Sequence, residues 1–202
     1  MIIIGITGGI ASGKSTASKI FQEEHNAYVF DADKEAKLLL LDKKISEEIL
    51  DTFPDLKSTD PASMSKIVFK NKENQQKLNA ILHPAVNVEL LKRVEKIRHE
   101  KKHKIFIVDA ALIIESGSYK YYHESGAYII LLTSLKSVRI ERALSRGNLS
   151  EESIKERMDL QWDDDKKKDY ADYTLENNES LDQLKSSIIF LVKEIRENAQ
   201  TS

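Results

Sequence analysis

Short, uninterrupted apolar runs alternate along this chain with longer stretches in which apolar residues recur every three or four positions. Runs of the first kind, with many β-branched residues, are typical of strands buried on both faces of a parallel sheet. Helical spacing is seen, for example, at Leu90, Val94 and Ile97. The alternation predicts an α/β fold with a five-stranded parallel sheet flanked by helices. The predicted strands cover residues 2–6, 27–30, 105–109 and 128–132, with a weaker one at 173–175.

Two segments interrupt this alternation and are predicted to be insertions. Residues 34–103 form a mostly helical stretch between the second and third strands, and residues 135–170 form a charge-rich helical stretch after the fourth. No internal repeat or low-complexity linker divides the chain. We therefore expect a single unit over residues 1–202, with a core made of residues 1–33, 104–134 and 171–202.

A phosphate-binding motif lies between the first strand and the first helix. The octapeptide GGIASGKS at residues 8–15 matches G-x-x-x-x-G-K-[ST]. Glycines let the backbone turn so that successive N–H groups converge on phosphate oxygens, and the next helix adds its positive end. Lys14 would reach the β- and γ-phosphates, and the Ser15 hydroxyl would ligate Mg²⁺. The alternative is a chance match in an unrelated glycine turn, but the flanking strand and helix favour a P-loop NTPase fold.

Composition excludes several other classes of protein. The 202 residues include no cysteine, which removes disulfides, thiolate zinc sites and cysteine nucleophiles. Thirty-one basic and thirty-three acidic side chains give a net charge of -2, so we expect no nucleic-acid or membrane partner. The charged runs 92–104 and 163–168 are typical of solvated helix faces or loops, with nucleic-acid binding by the first run as an alternative. With no apolar run of membrane length and no signal-peptide pattern, we expect a cytoplasmic protein.

The remaining motifs favour a small-molecule kinase over a GTPase. A guanine-specific GTPase needs N-K-x-D after a late strand, whereas the Asn-Lys pair at residues 71–72 lacks the Asp and precedes the third strand. A kinase needs an acceptor site beside the γ-phosphate and cationic groups that close over the transferred charge. Candidates for both are present.

Acceptor candidates follow the second strand, where ligands bind in open parallel sheets. Alternation along the strand predicts that Asp31 and Asp33 face the same side. One is a candidate base for an acceptor hydroxyl, and the alternative for either is an N-cap of the following helix. His83 either contacts substrate or precedes a helix that begins at Pro84.

Candidates for metal and phosphate binding lie further along the chain. Asp109 ends the third strand, as does a Walker B carboxylate that orients Mg²⁺; the alternative is an ordinary solvated strand end. Arg139, Arg142 and Arg146 are spaced three and four apart, which places them on one helical face. This face is a candidate lid that closes on phosphates. The alternative is a solvated helix with ordinary ion pairs.

With these motifs, the sequence resembles the dephospho-CoA kinase family over nearly its whole length. The opening ITGGIASGKST resembles that family's T-G-G-I-x-S-G-K-S, which is more specific than a bare P-loop. Three further matches are the D-A-D of residues 31–33, the L-H-P of residues 82–84, and the D-x-P-L-L-x-E-x-G segment at residues 109–117. Arg142, Arg146, Ser150, Glu151 and Gln161 match its lid pattern, and Asn177 matches an Asn near the adenine pocket.

The resemblance implies transfer of the ATP γ-phosphoryl group to the ribose 3′-hydroxyl of dephospho-CoA, with Mg²⁺, by a monomer or weak homo-oligomer. Residues 34–103 would then bind the acceptor and residues 135–170 would form the lid. The alternatives are another P-loop small-molecule or nucleoside monophosphate kinase, or a nucleotide-binding protein without transferase activity. The resemblance implies that the catalytic residues are Asp33, Lys14 and Arg142, and that Mg²⁺ is bound, directly or through water, by Ser15 and Asp109. The residues that it implies for ATP binding are Gly8, Gly9, Ala11, Ser12, Gly13, Lys14, Ser15, Thr16, Arg142, Arg146 and Asn177. The residues that it implies for acceptor binding are Asp31, Asp33, Lys37, His83, Leu112 and Glu115.

The chain departs from the family pattern at four positions. Lys37 stands where an Arg usually follows D-A-D, so the charge is kept and the two-pronged phosphate contact is lost. Ala110 and Ala111 replace a common Pro, and Pro61 stands where an Arg is often found. These changes concern acceptor affinity more than ATP binding, and we still expect an active kinase.

Overall fold

The computed structural model describes residues 1–68, 72–147 and 150–201, without the side chains of Ser65, Gln200 and Thr201. The predicted insertion and lid therefore each include residues outside the described ranges, at 69–71 and 148–149. The chain forms two compact units, one of residues 1–29 and 101–202 and the other of residues 30–100.

Five strands and ten helices make up the described chain. The strands are β1 (Ile2–Gly8), β2 (Tyr28–Asp31), β3 (Ile105–Asp109), β4 (Tyr128–Thr133) and β5 (Tyr173–Glu176). The helices are α1 (Lys14–His25), α2 (Ala32–Leu39), α3 (Lys43–Thr52), α4 (Pro61–Ile67), α5 (Lys72–Glu100), α6 (Tyr119–Glu124), α7 (Lys136–Ser145), α8 (Glu151–Asp159), α9 (Asp164–Lys168) and α10 (Leu181–Thr201). The chain passes from the first unit to the second within β2.

The sheet has the strand order β2-β3-β1-β4-β5, which places β1 at its centre. β1 pairs in parallel with β3 and β4, and β4 pairs in parallel with β5. Every parallel pairing needs a crossover, and the helices supply it. The predicted class, a five-stranded parallel sheet flanked by helices, is confirmed.

Burial on both faces explains why the strand sequences are continuously apolar. Ile4, Ile107 and Ile130 are completely buried and pack in one cluster with Phe21 of α1 and Ile188 of α10. Complete burial of one such side chain contributes roughly 1.5–3 kcal/mol. The cluster therefore fixes α1, and with it the loop that precedes α1, against the carboxyl end of β1.

The second unit is a helical cluster with its own core. Ile49, Met64 and Leu78, from α3, α4 and α5, are buried together. α5 runs through Pro84 without ending, so the predicted helix start at that proline is wrong. The apolar spacing continues across it from Leu78 to Ile97, and the packing of that face outweighs the backbone hydrogen bond that proline removes.

The outer face of α5 is solvated, as its charged sequence indicated. Lys92 pairs with the partly buried Glu89 at 2.7 Å, and Arg98 pairs with Glu95 at 2.9 Å, both exposed. Such pairs contribute little to stability. Across the part of the chain that the structure describes, we find no helix that is both long enough and apolar enough to cross a membrane.

Candidate active site

The glycine loop turns sharply between β1 and α1, and two of its glycines are required by geometry. Gly8 has φ +151° and Gly13 has φ +104°, both unfavourable for other residues. A Cβ at Gly8 would lie 2.3 Å from the Leu132 carbonyl oxygen, and one at Gly13 would lie 2.1 Å from Nδ2 of Asn177. A side chain at Gly8 would therefore collide with backbone, and one at Gly13 would displace the Asn177 side chain.

The loop forms a cradle for an anion. Lys14 Nζ donates to the Gly8 carbonyl at 3.0 Å and lies 3.5 Å from that of Gly9, so the ammonium group folds over the loop. Gly13 caps α1 without a side chain that could bond the first amides of the helix. Ser15 and Thr16 are exposed in that first turn. Backbone amides and a helix N-terminus together favour phosphate.

Ala11 and Ser12 face inward from the loop. Ala11 has φ +58°, an unusual value for a residue with a Cβ. Its methyl group is buried with Ile154 and Met158 of α8 and Ala143 of α7. The Ser12 residue is completely buried. Both residues were predicted to bind ATP; both are buried, and the Ser12 amide donates to the Gly9 carbonyl at 3.1 Å.

Two polar side chains from the predicted lid segment hold the loop at Ile10. Gln161 accepts a hydrogen bond from the Ile10 amide at 2.8 Å. Arg139 Nε donates to the Ile10 carbonyl at 2.9 Å, and its Nη1 lies 3.6 Å from Oδ2 of Asp164. Arg139 was recognised only as a member of a helical face, and no sequence pattern assigned it to the loop.

Arg142 and Asn177 meet on the other side of the loop. Asn177 is buried, and its Nδ2 donates to the Ser12 carbonyl at 2.9 Å. Arg142 Nη1 donates to the Asn177 carbonyl, also at 2.9 Å. Arg146 follows α7 as its C-cap and is exposed. Of the two arginines predicted to contact ATP, Arg142 is therefore linked to the loop, because it bonds Asn177 and Asn177 bonds Ser12.

Asp109 lies at the carboxyl end of β3, paired in register with Ile6 of β1. It is 9% exposed, and Oδ2 accepts a hydrogen bond from the Ser18 hydroxyl at 2.9 Å. Sequence reasoning missed Ser18; the available signal was a hydroxyl on the apolar face of α1, between Ala17 and Ile20.

The oxygen donors here fit Mg²⁺. The exposed Ser15 hydroxyl and the Asp109 carboxylate are hard oxygen ligands, which this ion prefers. Among the described residues, no group of three or more His, Cys, Asp or Glu side chains could hold a metal. A magnesium ion at this site would therefore need phosphate oxygens and water as further ligands, which is its usual mode of binding.

The strand β2 ends at the first residue of the D-A-D segment, and α2 begins at the second. Asp31 caps α2, accepting a hydrogen bond from the Lys34 amide at 2.8 Å, so the alternative interpretation as a helix cap is confirmed for this residue. Asp33 lies in the first turn of α2, and the predicted same-side alternation with Asp31 is therefore wrong. Asp33 is exposed, as is Lys37 in the last turn. The helix N-terminus stabilises a carboxylate at this position.

The other acceptor candidates differ in their surroundings. His83 lies inside α5, half-buried, and burial lowers the pKa of its imidazole. Leu112 is partly buried after β3. Glu115 Oε1 lies 2.6 Å from Nζ of Lys167, a lysine with a completely buried side chain. The prediction that residues 163–168 are solvated is wrong for Lys167, because a buried ammonium group needs the carboxylate that it contacts.

A parallel sheet whose central strand leads through GGIASGKS into a helix, with a lysine folded over the loop, defines a P-loop nucleotide-binding protein of the kinase class. The sequence comparisons narrow this class. The family model described as Dephospho-CoA kinase matches residues 2–183. The chain therefore belongs to the dephospho-CoA kinase family.

One curated relative and two solved structures are similar to this chain over most of its length. A dephospho-CoA kinase of Fusobacterium nucleatum is 35% identical over 189 residues, covering 91% of this chain and 93% of the relative. A dephospho-CoA kinase structure from Campylobacter jejuni is 28% identical, with a TM-score of 0.65 and 98% coverage of both chains. A crystal structure of a Thermus thermophilus protein is also 28% identical, with a TM-score of 0.80, and covers 96% of this chain and 97% of that one.

Proposed function

We propose that this chain transfers the γ-phosphoryl group of ATP to the 3′-hydroxyl of the dephospho-CoA ribose, giving CoA and ADP, which is the last step of coenzyme A synthesis. The observation that carries this proposal is the intact phosphate loop, with Lys14 Nζ 3.0 Å from the Gly8 carbonyl, in a chain that matches the family model over residues 2–183. We also propose that the protein is cytoplasmic and is a monomer or weak homo-oligomer.

On the ATP side, the loop amides and Lys14 bind the β- and γ-phosphates. Lys14 would exchange its carbonyl contacts for phosphate oxygens, so that the acceptor as well as the donor carries charge. Arg142 and Arg146 supply positive charge as the transferred group leaves ADP. Asn177, which braces the loop at Ser12, borders the adenine site. The remaining proposed ATP contacts are Gly8, Gly9, Ala11, Ser12, Gly13, Ser15 and Thr16.

Ser15 and Asp109 would hold Mg²⁺, which neutralises phosphate charge when bound. The bond from Ser18 to Oδ2 fixes the orientation of the Asp109 carboxylate. A carboxylate held in this way loses less conformational freedom when it binds an ion or an ion-bound water.

On the acceptor side, we assign the proton transfer to Asp33. As the 3′-oxygen bonds to the γ-phosphorus and the bond to the bridging β,γ-oxygen breaks, the carboxylate takes the hydroxyl proton. Asp33 is exposed in the first turn of α2, and Asp31 is the cap of that helix. Other acceptor contacts are assigned to Lys37, His83, Leu112 and Glu115.

A side-by-side assay tests the proposed acceptor. The purified chain is given ATP and Mg²⁺ with dephospho-CoA, AMP, CMP or shikimate, and ADP release is followed with each. We expect turnover with dephospho-CoA alone. Turnover of another acceptor in its place would make the chain a different small-molecule kinase. ATP binding without turnover of any of the four would make it a nucleotide-binding protein without transferase activity.

A further inference from the structure

The backbone around Ile10 is held on both sides by side chains from residues 139–161. Its N–H donates to Oε1 of Gln161 at 2.8 Å, and its carbonyl accepts from Nε of Arg139 at 2.9 Å. The two bonds therefore fix the peptide group before Ile10 and the one after it.

Fixing a carbonyl also fixes the amide beyond it. In a trans peptide the C=O and N–H point in opposite directions, so the Ile10 carbonyl that faces Arg139 turns the Ala11 N–H the other way. Ala11 itself has φ +58°. A left-handed conformation in a residue with a Cβ is strained and persists only where its surroundings enforce it. Arg139 holds the peptide group that precedes this residue.

Arg139 is itself held rigidly against the loop. Its side chain is 11% exposed and pairs with Asp164, which is 20% exposed, at 3.6 Å. A Cβ added at Gly9 would lie 2.0 Å from Nη2 of Arg139, so the guanidinium lies directly on the glycine backbone. The guanidinium group is planar and charged, and its contacts with the loop and with Asp164 fix its orientation.

We propose that Arg139 is a positioning residue for the phosphate loop: by holding the Ile10 carbonyl it directs the Ala11 amide towards the phosphates of the nucleotide. This inference rests on the proposed function only in taking ATP as the ligand. It requires no particular acceptor.

The test compares two charge-removing variants of the same helix. Arg139→Gln removes the loop contact. Lys136→Gln removes a charge at the start of α7, where Lys136 and Asp159 are exposed and 3.9 Å apart. The Kd of ATP is measured by calorimetry, without acceptor, and followed by fluorescence of Trp162, the single tryptophan of the chain and the neighbour of Gln161.

We expect Arg139→Gln to raise the Kd of ATP by about tenfold to a hundredfold, because the variant loses one charge-assisted hydrogen bond. Lys136→Gln should leave the Kd of ATP unchanged. The KM for dephospho-CoA should stay at the wild-type value in both. Arg139→Lys should recover part of the affinity, because it keeps the charge and loses the planar geometry. A purely structural role would instead lower thermal stability and affect both substrates alike.

Asp164→Asn provides a second variant should Arg139→Gln fail to fold. It leaves the arginine in place, and we expect a smaller rise in the Kd of ATP. If folded Arg139→Gln binds ATP as wild type does while wild type phosphorylates dephospho-CoA, the inference is wrong and the function stands. If wild type binds ATP but does not phosphorylate dephospho-CoA, the function is wrong, and the ATP measurements still decide the role of Arg139.

Discussion

The buried ion pair between Lys167 and Glu115 gives a sharp prediction about stability. The two charged atoms lie 2.6 Å apart, and the side chains are 0% and 10% exposed. Lys167→Met keeps most of the apolar stem but leaves the Glu115 carboxylate without its cation. Removing one partner of a buried pair costs about 3–5 kcal/mol, because the remaining charge is unpaired. This is a large part of the roughly 5–15 kcal/mol that stabilises an ordinary domain.

Urea unfolding, followed by the fluorescence of Trp162, measures this loss. For slopes of roughly 2–3 kcal/mol/M, a loss of that size lowers the midpoint by roughly 1–2.5 M. The neighbouring Lys168 is a matched control, since it pairs with Asp165 at 2.9 Å while its side chain is 46% exposed. Lys168→Met should leave the midpoint almost unchanged, because solvent screens an exposed pair.

A double variant separates the buried charge from other effects of losing Lys167. In Lys167→Met with Glu115→Gln, no unpaired charge remains, and most of the lost stability should return. If Lys167→Met costs no more than Lys168→Met, or if the double variant is no more stable than the single one, the ion pair is not what buries Lys167. The KM for dephospho-CoA in the double variant, compared with that in Lys167→Met, then reports separately on the proposed acceptor contact, because Glu115→Gln alone would leave the buried Lys167 ammonium unpaired.

Three further variants test the site. Lys14→Ala should abolish turnover, because the γ-phosphate is no longer bound by the Lys14 ammonium group. Circular dichroism checks that the variant folds, and residual turnover above a few per cent would contradict the proposed role of Lys14. Asp33→Asn should lower kcat far more than it weakens ATP binding, and a kcat within threefold of wild type would remove Asp33 as the base. Gly13→Ala should cost about 1–2 kcal/mol for its left-handed φ and displace Asn177, whose Nδ2 lies 2.1 Å from the added Cβ. Its urea midpoint and its Kd for ATP should both worsen, and a wild-type Kd would contradict the close fit at this position.

The fold and the phosphate loop could be predicted because their causes are local. Strands buried on both faces must be apolar throughout, and Ile105–Asp109 is buried at every position. The loop motif likewise specifies its own backbone: Gly8 and Gly13 stand where φ is positive and a Cβ does not fit. In both cases the residue types follow from the geometry of one short segment.

The errors arose where a local rule competed with tertiary packing. Pro84 is a good helix start in isolation, but the apolar face of α5 continues through it and is buried on both sides of it. The prediction that Asp33 faces the same side as Asp31 assumes that the strand continues to Asp33, whereas Asp31 caps a helix that begins at the next residue. Lys167 belongs to a charge run, and nothing in the run distinguishes a lysine paired with Glu115 from its exposed neighbours.

The loop contacts of Arg139, Gln161 and Asn177 illustrate a different limit. Each lies more than a hundred residues from the backbone atom that it bonds, at sequence separations of 129, 151 and 165. No short motif can encode a bond over such a distance, because the loop follows β1 whereas Arg139 and Gln161 follow β4 and Asn177 follows β5. The loop sequence specifies which backbone conformations are possible, while side chains from the carboxyl-terminal half of the chain stabilise one of these conformations. Phosphate binding in this chain therefore depends on the folding of the whole first unit, and variants far from the motif in sequence can weaken it.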